Sequence, residues 1–492
     1  MQLLLPFIYA ILFILLIYKM NFFVIDGLSK RSIVFVFILK IIVGIALHFI
    51  YTFYYPEGDM KSYFDDGNKL FYILTNDSNH FKEIILKGDN FNELFTWNAS
   101  FEKTLYNDSR TMVLLNLLFR FFSFGNFYVH IIFMSFLSLI GLTAIYKTFI
   151  IYFKSTKKIL FFIVFLLPSV LLWSSGVLKE GLLFFGVGLL LYTTNCGLAT
   201  KYNFRNVLLL CLSIFILLFL KFYILIALLP GLFANFLISH SSNQFVFLKY
   251  ISSYFILFVL IAFFSFSKPE FNPIKIIANK QEKSEAVAMG GVFLLSDNYF
   301  VRVDYQQKDE ILIPQENNKF KIKLHSNYDQ WKLTSFKDTI HIIHSTDTSL
   351  YKLVYIVVPP NYNINPLKLQ PTISSLLKNT PKAFYNSLAT PLEFGTKNWL
   401  IFCASLENIF YFLCIILMII YFKIQESDKA ILFFCCSFFV IIYTLAGLTT
   451  PFAGALVRYR TPALPFMMIF IFMLVDKNKL KTIPFLGKYL TD

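Results

Sequence analysis

Residues 33–54 read IVFVFILKIIVGIALHFIYTFY, and an acidic turn, Tyr55-Pro56-Glu57-Gly58-Asp59, follows at once. A helix rises about 1.5 Å per residue, so roughly 20 apolar residues cross the 30 Å of hydrocarbon in a bilayer. This run is long enough, and the turn ends it. Working outward, similar runs occur at 2–18, 126–150, 159–173, 181–196, 207–220, 222–238, 250–266, 399–421, 430–448 and 462–476. With 57% hydrophobic and 15% charged residues and a mean hydropathy of +0.64, the chain is too apolar for a soluble surface. The expected fold is an α-helical polytopic membrane protein with about eleven transmembrane helices. The run at 2–18 lacks a basic segment ahead of it and reads as a retained span rather than a signal peptide.

The net charge of +15 does not point to nucleic acid, because the basic residues cluster in short links between apolar runs. Those links carry Lys19/Lys30/Arg31, Lys147/Lys154/Lys157/Lys158, Lys201/Arg205, His240/Lys249, Lys423/Lys429 and a Lys-rich tail from Lys477 to Lys488. Placing them in the cytoplasm puts the N-terminus outside and the C-terminus inside, in a multi-pass protein of a plasma (inner) membrane of bacterial type. The arrangement depends on 207–238, which reads either as one tilted helix or as two short ones hinged at Lys221 and Phe222. Two spans keep the tail inside. The six cysteines lie in or beside apolar runs, without zinc or redox spacing.

Two long segments then face outward. In the first, 55–125, apolar residues recur at helical spacing at Tyr63, Phe64, Leu70 and Phe71, around 81–95 and across 112–122, as in amphipathic surface helices. The second, 267–398, alternates at 299–305, 320–324 and 339–343, has a short apolar run at 353–358 and regains helical spacing at 374–394. It reads as an inserted β-rich extracytoplasmic domain ending in interfacial helices. The chain thus divides into a membrane module at 1–266, this domain at 267–398, and C-terminal spans with a basic tail at 399–492.

Charges beside spans are the informative residues, since an unpaired charge in hydrocarbon costs about 2.5–3.5 kcal/mol even on insertion scales. Glu57 and Asp59 can take a proton or, as oxygen donors, hold a divalent cation, while Gly58 permits close backbone approach. Asp59 also fits the position of an N-cap. Lys179-Glu180 open a helix after the small-residue turn that follows Trp173, where they serve either ligand binding or local pairing. Arg458 and Arg460 precede Thr461-Pro462, a capping pattern that would set two guanidinium groups at a helix N-terminus, a place suited to phosphate or to lipid head groups. Lys221 and Glu407 lie within apolar segments and fit a substrate contact or a mutual buried pair. His341 and His344 are spaced i, i+3 on strand-like sequence, so they point to opposite faces and make a poor metal site. Nucleotide-binding, metalloprotease and nucleophile-elbow motifs are absent from the sequence.

Taken in order, these features resemble the GT-C superfamily of polytopic glycosyltransferases, which use lipid-phosphate-linked sugars. The likeness lies in the carboxylates Glu57 and Asp59 opening an external loop of surface helices, and in later outer loops bearing Lys179 and Arg458-Tyr459-Arg460. It implies a GT-C-like fold and transfer of a sugar from a polyprenyl-phosphate-type donor to a glycan, lipid or protein acceptor at the outer face. Asp59 would be the base, Arg458, Arg460 and Lys179 the phosphate clamp, with Glu57 as helper or divalent-cation ligand and Glu180 and Lys221 near the substrate. The chain departs from the family pattern where its carboxylates follow the second span rather than the first, and where its soluble segment lies between spans eight and nine. A polysaccharide polymerase or ligase, a transporter and a non-enzymatic envelope-assembly subunit are the other readings. The absence of an internal repeat and the scarcity of midplane charges rank the transporter lower than the enzyme.

Overall fold

The computed structural model describes residues 4–53, 58–87, 94, 108–153, 156–199, 203–241, 244–267, 272–296, 299–316, 319–323, 328–332, 335–342, 350–357, 359, 364, 367–395, 398–424 and 429–481. Glu57 and His344 lie outside them. Among the described residues, eight helices are long and apolar enough to cross a membrane. The chain is a largely helical multi-pass membrane protein with a small antiparallel sheet.

It divides into two compact units. One comprises Met1–Ser267, Ser387–Thr444 and Val457–Asp492, the other Lys268–Asn386 and Leu445–Leu456. The first opens with α1 (Leu5–Lys19) and α2 (Lys30–Phe53), then the amphipathic α3 (Asp59–Asn76), α4 (Ser78–Lys87) and α5 (Asp108–Ser123). Next is α6 (Phe127–Phe149), started by an Asn126 side chain that caps Tyr128 and Val129 N–H groups. The apolar run expected at 159–173 is interrupted: α7 (Lys157–Phe161) passes through a π-helical turn, Phe162–Leu166, into α8 (Pro168–Trp173). Pro168 explains the break, since it cannot donate to the preceding turn.

α9 (Lys179–Ala199) returns along α6 so closely that a Cβ on Gly141 would overlap the Phe184 carbonyl and one on Gly188 the Gly141 carbonyl. Small residues let two backbones touch where lipid gives no hydrophobic drive between helices. α10 (Phe204–Ser239) leaves helical geometry at Lys221, with φ −152° and ψ 83°, the hinge that the sequence suggests. Its first half packs Ile216 and Leu217 on Gly186 of α9. Its second half brings Asn235 to Tyr250 of α11 (Val246–Ser267), whose hydroxyl donates to Asn235 Oδ1 at 2.8 Å.

The second unit holds α12 (Pro273–Ala288) and strands β1 (Gly291–Leu295), β2 (Tyr299–Val303), β3 (Leu312–Gln315), β4 (Lys319–Ile322), β5 (Tyr328–Lys332), β6 (Ser335–Ile342) and β7 (Tyr351–Val357), with α13 (Lys308–Ile311) ahead of β3 and α14 (Ile373–Ala389) after the sheet. The order is β3-β4-β7-β1-β2-β5-β6, and each paired neighbour runs antiparallel, as in Val292↔Val303 and Phe293↔Tyr355. Val292, Leu294, Val301 and Val303 pack with Ile311, Ile322, Tyr328 and Tyr351 in its core. Alternation marks β2, β4 and β6 in the sequence and a short apolar run marks β7, while three strands escape both signals. β1 is buried on both faces and does not alternate, β5 is polar, and β3 contains Pro314, which a strand tolerates at the sheet edge that β3 occupies.

Back in the first unit are α15 (Trp399–Ile420), most of α16 (Lys429–Thr449), the end of α17 (Ala453–Arg460), α18 (Leu464–Met473) and α19 (Lys477–Lys481). The last span, expected at 462–476, begins earlier: α17 runs through a 3-10 turn, Thr461–Ala463, directly into α18. Lys423 ties the end of α15 to Asp476 at 3.4 Å, and Lys477 donates to the Tyr152 carbonyl at 3.0 Å beyond α6.

Candidate functional site

Asp59 is the first residue of α3, preceded by Gly58 in extended backbone, and it makes no capping bond. The capping alternative for Asp59 is therefore not realised. Its Oδ2 instead accepts a hydrogen bond from Arg458 Nη1 at 2.7 Å. Here both partners are ionised, whereas a cap would set the carboxylate against a neutral backbone N–H. Burial alone would raise the Asp59 carboxyl, but the Arg458 guanidinium and the Lys179 ammonium outweigh it and hold the group below the usual aspartate range.

Arg458 lies in the last turn of α17, and its Nε donates to Glu180 Oε2 at 2.9 Å. Glu180, in the first turn of α9, is fully buried, and its Oε1 stands 3.4 Å from Lys221 Nζ. The break in α10 is what frees Lys221 to reach it; the same ammonium sits 4.5 Å from the centroid of the Tyr459 ring. Lys179 is adjacent to Glu180, but successive helical residues diverge by about 100°. Its ammonium therefore turns to α5, 2.9 Å from Asp108 and 3.3 Å from Ser109 Oγ, and lies 5.4 Å from the Tyr63 ring centroid. Burial and the neighbouring Asp59 push the Tyr63 phenol well up, so it stays neutral.

Five of the residues singled out in the sequence thus converge: Asp59, Lys179, Glu180, Lys221 and Arg458. They come from four helices, and Asp108 joins them from a fifth. Asp108 was not read as a site residue, and nothing in its local sequence separates it from an ordinary first-turn carboxylate.

Arg460 does not join. Two residues on from Arg458, it points to the other side of α17, where Nη1 donates to the Ser387 carbonyl and to Thr390 O at 3.0 Å and Nη2 to Asn408 Oδ1 at 2.5 Å. Its guanidinium also lies 5.9 Å from the Tyr443 ring centroid, and the residue is buried. The paired-arginine clamp at a helix N-terminus is therefore corrected: Thr461 Oγ1 donates back to Val457 O at 2.7 Å instead of capping, because the helix is already running when it reaches these residues. Arg460 fastens 387–390 to α15.

The Lys221–Glu407 pair is likewise replaced. Glu407 accepts from Ser169 N at 2.8 Å and from the Ser169 and Tyr411 hydroxyls. His341 enters β6 opposite Asp329. Among the described residues, no three His, Cys, Asp or Glu side chains come together as a metal cluster. Asp59 and Glu180 are the carboxylates nearest a prospective cation, and both are engaged by Arg458.

The turn that delivers Lys179 and Glu180 is itself fixed. Lys40, fully buried in α2, donates to Ser174 O at 3.1 Å, Ser174 Oγ at 2.6 Å and Ser175 Oγ at 3.3 Å, using the three protons of an ammonium. One turn on, Gly44 lies against the Ser175 carbonyl, and Leu47 and Met60 close over Gly176. A lysine in the middle of an apolar run was the available signal for this support. Asn116 and Ser123 of α5 similarly bracket the buried His130 of α6, at 2.7 and 2.8 Å. Compared with known proteins, the chain matches no family model, no curated protein and no solved structure.

Proposed function

We propose that the chain is a membrane glycosyltransferase of GT-C type, moving a sugar from a polyprenyl-phosphate-type donor to an acceptor at the outer face of the membrane. The observation that carries the reading is the 2.7 Å contact between Asp59 and Arg458, which are 399 positions apart. A lipid-phosphate sugar holds its reactive carbon at head-group level, so a proton acceptor and a phosphate-binding cation must meet at the end of the spans. Asp59 and Arg458 supply that pair of groups.

In the proposed reaction Asp59 takes the proton of the acceptor hydroxyl as its oxygen forms a bond to the anomeric carbon. The bond from that carbon to the phosphate oxygen breaks, and its electron pair leaves on the phosphate. Arg458, seconded by Lys179, stabilises the departing charge. Glu180 and Lys221 hold Arg458 in place. The sheet of the second unit is proposed as the acceptor-facing, extracytoplasmic domain; the acceptor is a glycan, lipid or protein.

Eleven crossings and a cytoplasmic C-terminus belong to the same proposal. They are supported by the break at Lys221. α10 starts five positions after α9 ends, meets Glu180 at its middle, and returns beside Tyr250, whose hydroxyl oxygen also lies 2.8 Å from Ala430 O at the start of α16. Lys147, Lys157, Lys423 and Lys477 gather at the other end of the spans, as a cytoplasmic face requires.

The test is reconstitution of the full chain in proteoliposomes with a panel of polyprenyl-phosphate sugars, measuring release of polyprenyl phosphate. The expected result is turnover that Asp59→Asn abolishes without loss of folded protein and that Arg458→Lys lowers strongly, because an ammonium cannot reproduce the fork. Full activity in both variants would remove Asp59 and Arg458 as the catalytic pair, and a wild type that turns over no donor would leave a non-enzymatic envelope subunit as the better reading.

A further inference from the structure

Among the described residues the site holds Lys179, Lys221 and Arg458 against Asp59, Asp108 and Glu180, three charges of each sign. Among these residues each cation already faces a carboxylate, so a phosphate that binds Arg458 competes with one.

The geometry says which one. Glu180 has 0% side-chain exposure, receives Arg458 Nε, and is backed by Lys221. Removing it from Arg458 would strand a charge in a dry interior, where breaking a buried pair is strongly unfavourable. Asp59 sits on the open side, its side chain 44% exposed, and receives only Nη1; Nη2 makes no hydrogen bond with a described residue. Nη1 and Nη2 together are the edge of a guanidinium that binds two oxygens of a phosphate side by side. Asp59 is partly exposed where Glu180 is not, so it is the carboxylate more readily displaced from Arg458.

We propose that the Asp59–Arg458 pair is an exchange contact: the phosphate of a lipid-phosphate ligand replaces the Asp59 carboxylate on Arg458 and thereby releases Asp59 toward the acceptor. This rests on the glycosyltransferase reading and adds an order to it, donor first. In the resting state Arg458 occupies the carboxylate and suppresses its basicity. With the phosphate seated, the positive charge is neutralised and Asp59 is free to accept a proton.

The test is equilibrium binding to the full chain in nanodiscs, with a short polyprenyl phosphate, the matching phosphate-free polyprenol and inorganic phosphate as probes. Asp59→Asn removes the competing anion, so polyprenyl phosphate should bind at least roughly tenfold more tightly than to the wild type, as loss of one charge-assisted competitor implies. Polyprenol affinity should not change. Asp59→Glu keeps the competitor and should stay at the wild-type value, which guards against a folding effect of the Asn variant. Equal tightening for inorganic phosphate would assign the seat to the phosphate group alone, still by exchange at Arg458; tightening confined to the lipid would assign it to the head group of a membrane ligand.

Unchanged or weaker polyprenyl phosphate binding in Asp59→Asn overturns the exchange, as does tightening in Asp108→Asn alone, which would move the seat to Lys179. Either result leaves the glycosyltransferase reading standing so long as wild-type binding is detected and Arg458→Lys weakens it. Absence of polyprenyl phosphate binding to the wild type and to every variant would remove that reading itself.

Discussion

Arg458 and Arg460 stand two positions apart and have opposite tasks. Arg458 faces two carboxylates and an open side; Arg460 is buried with its protons spent on Ser387 O, Thr390 O and Asn408 Oδ1. Replacing Arg460 with Ala leaves those acceptors without a donor, at about 1–3 kcal/mol for each buried group left unsatisfied. The expected outcome is a fall of several degrees in the melting temperature of the detergent-solubilised protein, with polyprenyl phosphate affinity intact in the folded fraction. Thermal denaturation beside binding measures both.

Asp59 carries a pH signature. Its carboxyl is held below the ordinary aspartate range in the folded chain, so the unfolded chain binds protons first as pH falls. The stability it confers is complete above the unfolded aspartate range and disappears as pH drops through the folded value. Melting curves across the acid range should show a slope there in the wild type that Asp59→Asn reduces; identical slopes would mean that Arg458 does not hold the carboxylate.

At the scale of elements, the backbone contact of α6 with α9 is the tightest constraint on the site, because α9 carries Lys179 and Glu180 at its start. Gly141 and Gly188 meet backbone to backbone, with no flexible side chain to yield. Gly141→Val should therefore separate the two helices and lower both expression of folded protein and resistance to trypsin, whereas Gly454→Ala, with open space around it, should change neither. The break in α10 is a second constraint. Lys221→Leu would leave Glu180 held by Arg458 but without its second cation, a partial break that costs less than the roughly 3–5 kcal/mol of a buried charge left uncompensated. The prediction is marked loss of thermal stability, part of it recovered when Glu180→Gln is added; an additive double variant would show that the two side chains do not interact.

On the scale of the whole molecule, the proposed orientation places the Asp59 end outside and the Lys423–Asp476 end in the cytoplasm. In a chain freed of its native cysteines, a membrane-impermeant maleimide should label Asn79→Cys in intact cells and Lys423→Cys only after permeabilisation. The reverse pattern would put the acidic loop in the cytosol and end the proposal for chemistry at the outer face.

Hydropathy along the chain was enough to place most spans, because the requirement to fill about 30 Å of hydrocarbon acts on each run independently. The run at 33–54 became Lys30–Phe53, that at 399–421 became Trp399–Ile420, and even the hinge at Lys221 was legible as a cation inside an apolar segment. The amphipathic spacing of α3 and α5 and four of the seven strands could be read in the same way. What sequence could not supply was partnership. That Asp59 prefers Arg458 to its own helix end, that Lys221 answers Glu180 and not Glu407, and that Arg460 turns away from Arg458 all depend on how helices distant in sequence pack. A charge near a membrane must find an opposite charge or a dipole, and local sequence states that need without naming the partner. Only the packed tertiary structure, which fixes helix rotation and depth together, decides which group meets it.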